Sequence, residues 1–325
     1  MPAPYRFETT AEEVISDLKA SIAGKVILTT GVSPGGLGAY FVEHIAVAQP
    51  KLLILAGRNK SKGEATAKKI AEITNGSVET RILELDLGSL AKVREAAAVV
   101  NDYQESIDVL VNNAGIMATE YATTADGFEN QFGTNHVAPW LFTNLIMDKI
   151  LASPAPRIVN ISSDGFRMSP IRFHDVGFKE GKTYNKWRAY GQAKTANMLM
   201  AMSLAEKLGD KGLVALSLHP GVIITNLGTH LDWEKDFAGM NALDKVLGNY
   251  QGDWTEFPVK TPSQGVATHI RAAFDPSLKE YNGRFLSDVE PADLDELQAY
   301  AISSRDAKKL WKLTEELVGQ IFEYQ

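Results

Sequence analysis

Short apolar runs alternate with longer segments of helical periodicity through most of the chain. The runs are rich in β-branched and aliphatic residues, which is typical of strands that are buried on both faces of a parallel sheet. Strands separated by helix-length segments predict an α/β fold, here a single doubly wound parallel sheet of about seven strands with helices on both faces. The predicted strands are residues 25–30, 51–56, 78–85, 107–111, 157–161, 213–218 and, with a weaker pattern, 284–287.

The segments between these strands predict helices that cover the sheet. Other helices are predicted at residues 39–48, 126–151 and 187–208, and one follows Ser89 with Leu90, Val93, Ala97 and Val100 on a single face. No repeat and no linker rich in Pro or Gly divides the chain, so residues 25–325 are predicted to form one domain. Residues 1–24 form an N-terminal extension that we expect to be helical.

Residues 222–262 interrupt the alternation with a mixture of aromatic residues, charges and glycines. In one interpretation, this segment is a surface excursion whose aromatic side chains complete the core. In the other, it is an adaptable lid over a pocket, because ligands of such sheets bind beyond the carboxyl ends of the strands. Its large apolar side chains are Trp233, Phe237, Met240, Tyr250, Trp254 and Phe257.

The composition argues against several classes of function. A formal net charge of −7 is unfavourable for binding nucleic acid, because phosphate recognition requires a basic face. The chain has no cysteine, and its six histidines never fall at the spacing of a two-histidine helical metal site, so we expect no metal. The acidic N-terminus and the lack of a long apolar run predict a cytoplasmic protein that does not bind membranes.

A glycine-rich turn follows the first predicted strand and precedes a predicted helix. Glycines at this place let the backbone approach a pyrophosphate and direct helix N-terminal N–H groups toward it. The candidate residues are Gly31, Ser33, Gly36, Leu37 and Gly38. The alternative is a tight connection without a ligand. The turn lacks the Lys-Ser/Thr pair of a P-loop, so a dinucleotide is favoured over ATP.

The end of the second predicted strand carries a basic residue, Arg58, where a site specific for NAD would carry a carboxylate for the ribose 2′-OH. A guanidinium can form a bidentate contact with a 2′-phosphate, so NADP(H) is the expected cofactor. In the alternative interpretation, Arg58 and Lys60 are a solvated cluster on a loop. Asp86 follows the third strand and is placed to accept from the adenine amino group, and Asn113, Ala114 and Gly115 follow the fourth.

Tyr190 and Lys194 lie four residues apart in a predicted helix, so both side chains share one face. A chain with 10 tyrosines contains such a pair by chance about as often as not, so the pair alone carries little weight. The order of motifs is more informative. The pair follows the glycine turn, the Asn-Asn-Ala-Gly sequence and a strand that ends in Ser162-Ser163, and it precedes Pro220-Gly221.

This ordered set of motifs resembles the short-chain dehydrogenase/reductase family, and the resemblance covers about residues 22–315. Within the family, the chain is similar to the branch of retinol dehydrogenases and WW-domain oxidoreductases and to its soluble fungal relatives. The resemblance implies a Rossmann fold. It also implies that Asn135, Ser163, Tyr190 and Lys194 carry the reaction, with Tyr190 and Lys194 also contacting the cofactor. The resemblance further implies that the turn of Pro220, Gly221, Ile223 and Thr225 receives the nicotinamide amide.

The residue types suit this chemistry. A free phenol has a pKa of about 10, and lowering it by about three units requires ~4 kcal/mol, which a neighbouring ammonium in a partly dry site can supply. Lys194 is expected to have that role, while Ser163 stabilises charge on the substrate oxygen and Asn135 holds a water that connects Lys194 to solvent. The turn departs from the family in having four residues between Gly31 and Gly36.

The expected function is therefore NADPH-dependent reduction of a fairly large apolar or aromatic ketone or aldehyde. Two alternatives stay open: NAD(P)⁺-dependent oxidation of an alcohol by the same residues, and a non-catalytic dinucleotide sensor or scaffold. The long stretch 166–188 either forms a pocket wall or is a packed surface loop. The family often forms dimers or tetramers through its long helices, and Ala193, Ala196 and Ala201 permit close packing, either between subunits or internally.

Overall fold

One mixed sheet forms the centre of the fold in the computed structural model, which describes residues 5–249 and 252–324. The strands, in chain order, are β1 (Val26–Thr30), β2 (Leu52–Gly57), β3 (Glu79–Glu84), β4 (Val109–Asn112), β5 (Arg157–Ile161), β6 (Val214–Leu218), β7 (Phe285–Ser287) and β8 (Glu290–Pro291). Their spatial order is β3-β2-β1-β4-β5-β6-β7-β8, and β1 to β7 pair in parallel. The predicted doubly wound sheet is confirmed.

The strand order reverses between β1 and β4, which are neighbours in the sheet. In sheets of this kind the chain leaves these two strands in opposite directions, and a crevice opens beyond their carboxyl ends. The candidate residues after β1, β4 and β5 therefore meet at one edge of the sheet.

Every predicted strand is present, and among residues 5–249 and 252–324 β8 is the one strand that the sequence did not predict. It is two residues long and pairs antiparallel with β7. Asp288 and Val289 form the tip between them, both with positive φ. No glycine marks this turn, so nothing in the sequence indicates a hairpin.

The helices are α1 (Ala11–Ile22), α2 (Leu37–Ala46), α3 (Lys60–Thr74), α4 (Leu90–Asn101), α5 (Asn130–Phe132), α6 (Ala138–Leu145), α7 (Met147–Leu151), α8 (Lys186–Leu208), α9 (Trp233–Leu247), α10 (Pro262–Phe274) and α11 (Ser304–Val318). Two apolar cores lie on opposite faces of the sheet. One contains residues of α4, α6, α8 and α11, and the other contains residues of α1, α2 and α10. Ala193, Ala196 and Ala201 of α8 are fully buried and pack internally.

The predicted continuous helix at 126–151 is wrong. The structure places three helical pieces there, joined by a π-helical stretch, Gly133–Val137, and by Ile146. The helix begins at Asn130 because residues before it form a turn in which Thr123 bridges to Glu129. Pro139 removes one N–H from the helix, and the wider π-turn falls just before it.

The N-terminal extension contains α1, which begins with a capping box of Thr10 and Glu13 and packs on α10. Tyr250, named above among the apolar residues of 222–262, and residues 1–4 lie outside the described residues. Across 5–249 and 252–324, no helix combines the length and hydropathy that crossing a bilayer requires.

Candidate active site

The glycine turn between β1 and α2 leaves room for a ligand at the start of the helix. Gly31 has φ +75°, and a Cβ on it would lie 2.7 Å from the Cα of Ala114, so no other residue fits this close approach. Gly36 caps α2 without any side-chain hydrogen bond. The first N–H groups of α2, from Leu37 and Gly38, are therefore not capped by a side chain, which suits an anionic group such as a pyrophosphate.

Asn113 and Thr30 fix this turn from the side of β4. The Asn113 amide donates to the carbonyls of Thr30 (2.8 Å) and Gly31 (3.2 Å). Thr30 Oγ1 accepts from the backbone N–H groups of Asn113 (3.0 Å) and Ala114 (2.9 Å). A Cβ on Gly38 would lie 2.5 Å from the Asn113 amide nitrogen. The Asn113 side chain is thus engaged in holding the turn, and Thr30 is a supporting residue that the sequence analysis missed.

Ser33 is half-buried within the turn, and its carbonyl accepts from the N–H of Gly36 at 3.0 Å. The next residue, Pro34, contacts the segment predicted as a lid, because its carbonyl accepts from the amide of Asn226 at 3.1 Å. The turn and the start of segment 222–262 are therefore in direct contact.

Arg58 is exposed immediately after β2, and it forms no ion pair within the part of the chain that the structure describes. Asp86 follows β3, and one of its carboxylate oxygens accepts from the N–H of Gly88 at 2.9 Å. Both side chains lie beyond the carboxyl ends of their strands, where the adenosine half of a dinucleotide binds in such sheets.

The two serines after β5 have different partners. Ser162 Oγ donates to the carbonyl of Lys194 at 2.8 Å and so ties β5 to α8. Ser163 Oγ accepts from the N–H of Gly165 at 3.1 Å, and its side chain is close enough to the Tyr190 phenol to lower the pKa of that phenol. Ser163 is therefore the serine that faces the phenol.

Tyr190 and Lys194 lie on the buried face of α8. The ring of Tyr190 is covered by segment 164–168, which passes so close that a Cβ on Gly165 would be 2.6 Å from the ring. Lys194 Nζ donates to the carbonyl of Ile161 at 2.9 Å and lies 5.5 Å from the centre of the Tyr190 ring. The amine and the phenol are neighbours at the end of β5.

Burial dominates the protonation of both groups. It raises the pKa of Tyr190 to about 12, and the neighbouring Ser163 side chain acts in the opposite direction with a smaller effect. It lowers the pKa of Lys194 to about 8. The expectation that Lys194 depresses the pKa of Tyr190 is wrong for the ligand-free chain, because the cost of placing a phenolate in this dry site outweighs the nearby ammonium. At neutral pH the phenol is protonated.

Asn135 lies in the π-helical stretch, next to Gly115. A Cβ on Gly115 would lie 3.0 Å from Asn135 Oδ1 and 3.7 Å from Lys194 Nζ, so these three residues are close together. The Asn135 side chain is engaged twice with Ile116: it accepts from the N–H and donates to the carbonyl, both at 2.8 Å. Pro139 cannot donate to the Asn135 carbonyl, which therefore lacks its usual α-helical partner.

The turn after β6 contains Pro220, Gly221, Ile223 and Thr225. Gly221 has φ +90°, and Thr225 Oγ1 accepts from the N–H of Leu227 at 3.3 Å. Ile223 packs against α10, where a Cβ on Gly265 would lie 2.6 Å from it. The turn lies beyond the carboxyl end of β6, at the same edge of the sheet as Ser163.

A buried network of asparagine amides connects the strands and the helix that carry the site. Asn112 donates to Asn160 Oδ1 (2.9 Å) and to Thr143 (3.0 Å), while Asn160 donates to the Asn197 carbonyl (3.4 Å). The Asn197 amide in turn donates to the carbonyl of Ile161 at 3.1 Å, the same oxygen that accepts from Lys194. Asn112 and Asn160 lie at the ends of β4 and β5, and Asn197 lies on α8. Their spacing along the chain does not indicate that they form a network.

Apolar residues of segment 222–262 belong to a buried cluster that includes Tyr190. The cluster joins Met240 and Leu243 of α9 to Trp187, Met168 and Tyr190, with Phe237, Trp254 and Phe257 at its margin. Asp236 of α9 accepts from Trp187 Nε1 at 2.9 Å and pairs with Lys186 at 2.5 Å. Segment 166–188 is divided: Met168 and Trp187 reach this cluster, whereas Phe178 packs against Tyr184, away from it.

Comparisons with known proteins identify the family of the chain. The sequence model of the short chain dehydrogenase family matches residues 25–235. The chain is 35% identical to human retinol dehydrogenase 13, over 93% of this chain and 86% of that protein. It is 36% identical to the short-chain dehydrogenase/reductase prx1 of Penicillium rubens, over 94% and 88%. A solved structure of an uncharacterised protein from Mycobacterium paratuberculosis superimposes with a TM-score of 0.67 at 28% identity, covering 97% of this chain and 99% of that one.

The chain therefore belongs to the short-chain dehydrogenase/reductase family, with the sequence likeness to retinol dehydrogenases and fungal relatives that the motifs indicated. Members of this family are oxidoreductases of alcohol and carbonyl groups that use a nicotinamide dinucleotide and act on small molecules.

Proposed function

We propose that this protein reduces a fairly large apolar or aromatic ketone or aldehyde with NADPH. The observation that carries the proposal is the meeting of Ser163, Tyr190 and Lys194 beyond the carboxyl end of β5, with the uncapped start of α2 at the same edge of the sheet. Ser163, Tyr190 and Lys194 supply the acid and the hydrogen-bonding groups, and the start of α2 supplies an anion site. Both are required in one cleft for hydride transfer from a dinucleotide.

The preference for NADPH rests on Arg58. Its exposed guanidinium has no ion-pair partner within the described residues, so it is available to a 2′-phosphate. The cofactor-binding set that we propose is Gly31, Ser33, Gly36, Leu37, Gly38, Arg58, Asp86, Asn113, Ala114, Gly115, Tyr190, Lys194, Pro220, Gly221, Ile223 and Thr225. Within this set, Asn113 acts through the turn that it holds, not by direct contact of its amide.

In the proposed reaction, a bound reduced nicotinamide supplies the hydride. The substrate oxygen accepts hydrogen bonds from Ser163 Oγ and the Tyr190 hydroxyl, and Tyr190 then donates its proton to that oxygen. The raised pKa of Tyr190 supports the reductive direction, because the phenol holds its proton until the oxygen becomes basic. Lys194 stabilises the phenolate that remains, and a water on the Asn135 carbonyl returns the proton from solvent.

The apolar cluster around Tyr190 supports a bulky apolar substrate. Trp187, Met168 and Met240 belong to the same buried apolar cluster as Tyr190. Several of the similar proteins are named retinol dehydrogenases, a name that indicates a large apolar alcohol as their own substrate. Their name also favours a second candidate for this chain, oxidation of an apolar alcohol by the same residues in the reverse direction.

A direct assay tests the proposal. The purified chain is mixed with NADPH and with bulky apolar ketones and aldehydes, and the loss of reduced-nicotinamide absorbance is followed, with NADH in parallel. The expected result is consumption of NADPH that depends on the carbonyl compound. Tight NADPH binding without turnover on any carbonyl or, in reverse, on any alcohol would instead support the dinucleotide sensor.

A further inference from the structure

Lys260 is a buried lysine beside the turn after β6. Its side chain is 0% exposed, and its Nζ lies 2.6 Å from Oδ1 of Asp288. This ion pair has no well-aligned hydrogen bond within the described residues. Burying an ammonium is costly unless its surroundings compensate for the lost water. The position of Lys260 is therefore imposed by its neighbours.

The main chain and the aliphatic stem of Lys260 both hold the Gly221 turn. The N–H of Lys260 donates to the carbonyl of Val222 at 2.8 Å, and Val222 and Val259 form a parallel bridge. A Cβ on Gly221 would lie 2.7 Å from Cδ of Lys260, so the stem is in contact with the glycine. Lys260 thus contacts and supports the Gly221 turn, which we propose binds the nicotinamide amide.

The counter-ion of Lys260 is held in a strained hairpin. Asp288 has φ +48°, and Val289, a β-branched residue, has φ +70°. Such conformations are unfavourable and persist only where the surroundings impose them. Here, Val289 donates to Thr268 Oγ1 at 3.2 Å, and its carbonyl accepts from Arg271 at 2.5 Å, both on α10. The hairpin that carries Asp288 is therefore attached to α10.

The N-terminal extension completes the enclosure of Lys260. The ammonium lies 4.6 Å from the centre of the Phe7 ring. The extension is fastened beside it by a hydrogen bond from the N–H of Ala11 to Ser263 (3.0 Å) and by one from Gln264 to the carbonyl of Glu8 (3.2 Å). This segment precedes residues 25–235, the part of the chain that the family's sequence model matches.

We propose that Phe7 and Lys260 form a buttress that positions the Gly221 turn for the nicotinamide half of the cofactor. Lys260 is thus a positioning residue, and the N-terminal extension contributes to cofactor affinity without contacting the cofactor. The inference rests on the proposed function, because it assumes that the cleft binds NADPH.

The test compares two ligands that differ in the nicotinamide half. NADPH and adenosine 2′,5′-bisphosphate are titrated into the unaltered chain and into the variants Lys260→Ala, Lys260→Met and Phe7→Ala. The fluorescence of NADPH reports its binding. The expected result for Lys260→Ala is an NADPH dissociation constant raised about 3- to 30-fold, with that of the bisphosphate changed by less than about twofold. Phe7→Ala shows a smaller loss of the same selectivity. Lys260→Met keeps the stem and restores most of the affinity.

Lys25→Ala is the matched control, because it removes the same charge from an ion pair with Asp108 beside β1, and it should leave both affinities unchanged. An unchanged NADPH affinity in Lys260→Ala, or an equal loss for both ligands, would overturn the buttress and leave the proposed function intact. Where Lys260→Ala does not fold, Phe7→Ala decides between these outcomes by the same comparison. An unaltered chain that binds neither ligand overturns the proposed function, and the buttress with it.

Discussion

Lys194 is a proposed site residue whose charge changes within reach of physiological pH. Burial lowers its pKa to about 8, so the ligand-free enzyme loses this ammonium as the pH rises past that value. The proposed reaction needs the positive charge to stabilise the Tyr190 phenolate. We expect kcat/KM for NADPH in the reductive direction to be flat below about pH 7 and to fall about tenfold per unit above about pH 8. A rate that rises through pH 9 would contradict this role for Lys194.

Arg58 offers a second test at a single residue. A charge-assisted contact with a 2′-phosphate contributes about 1.5 to 3 kcal/mol, so Arg58→Glu should lower the NADPH to NADH ratio of kcat/KM by about 10- to 100-fold or more. Lys68→Glu makes the same change of charge on α3, where Lys68 pairs with Glu72, and should leave the ratio unchanged. An unaltered ratio in Arg58→Glu would show that another residue selects the cofactor.

The sequence was enough to predict which residues form the proposed site, but it was not enough to predict the environment of their side chains. Ser163, Tyr190 and Lys194 are recognisable by residue type and order along the chain, and the structure places them together. Their protonation depends on burial, which comes from packing by distant segments such as α9, so the raised pKa of Tyr190 could not be predicted from residue type and order. The amide network of Asn112, Asn160 and Asn197 depends equally on three-dimensional proximity.

At the scale of elements, the turn at residues 178–181 is conformationally strained. Phe178, Lys179 and Glu180 have φ between +50° and +56°, and Gly181 follows with φ +86°. Left-handed conformations cost about 1–2 kcal/mol for a residue with a side chain, and Glu180 is exposed. Glu180→Gly should therefore raise the free energy of unfolding by about 1 kcal/mol, measured by urea denaturation. Glu180→Ala keeps the strain and should have little effect, and a destabilised Glu180→Gly would show that no strain is stored there.

The elements that the sequence predicted well are those with long, regular patterns. The positions of the strands and of α8 follow from hydrophobic periodicity. Ser89 caps α4 as predicted, because its side chain accepts a hydrogen bond from the N–H of Lys92 at 3.5 Å. The break at Ile146 and the π-helical stretch were not predicted, because the apolar pattern continues through both. Only Pro139 gave a local signal, and a proline near a helix start is also compatible with an unbroken helix.

At the scale of the whole molecule, two fully buried histidines connect packing to acid stability. Burial lowers the pKa of His136 to about 3 and that of His269 to about 4, against about 6.5 in the unfolded chain. Below pH 6.5 the unfolded state therefore binds protons that the folded state does not. The free energy of unfolding should fall by about 1.4 kcal/mol per pH unit for each histidine as the pH drops from about 6 to 4.5.

Urea denaturation between pH 7 and 4.5 measures this dependence. His269→Met fills a similar volume without a titrating group and should remove about half of the slope that the two histidines contribute. His174 is exposed, so His174→Gln should leave the slope unchanged. An equal slope in His269→Met and in the unaltered chain would show that other groups cause the acid sensitivity.

The central claim is that the Tyr190 hydroxyl delivers the proton that completes reduction. The direct measurement is single-turnover oxidation of bound NADPH by a carbonyl substrate in Tyr190→Phe, which keeps the ring that packs against Trp187. Tyr184→Phe is the control, since that half-buried hydroxyl donates to the carbonyl of Thr119, outside the proposed site. We predict that Tyr190→Phe binds NADPH within about threefold of the unaltered chain and transfers hydride at least about 10²–10⁴ times more slowly, with Tyr184→Phe near normal. A near-normal rate in Tyr190→Phe would contradict the account.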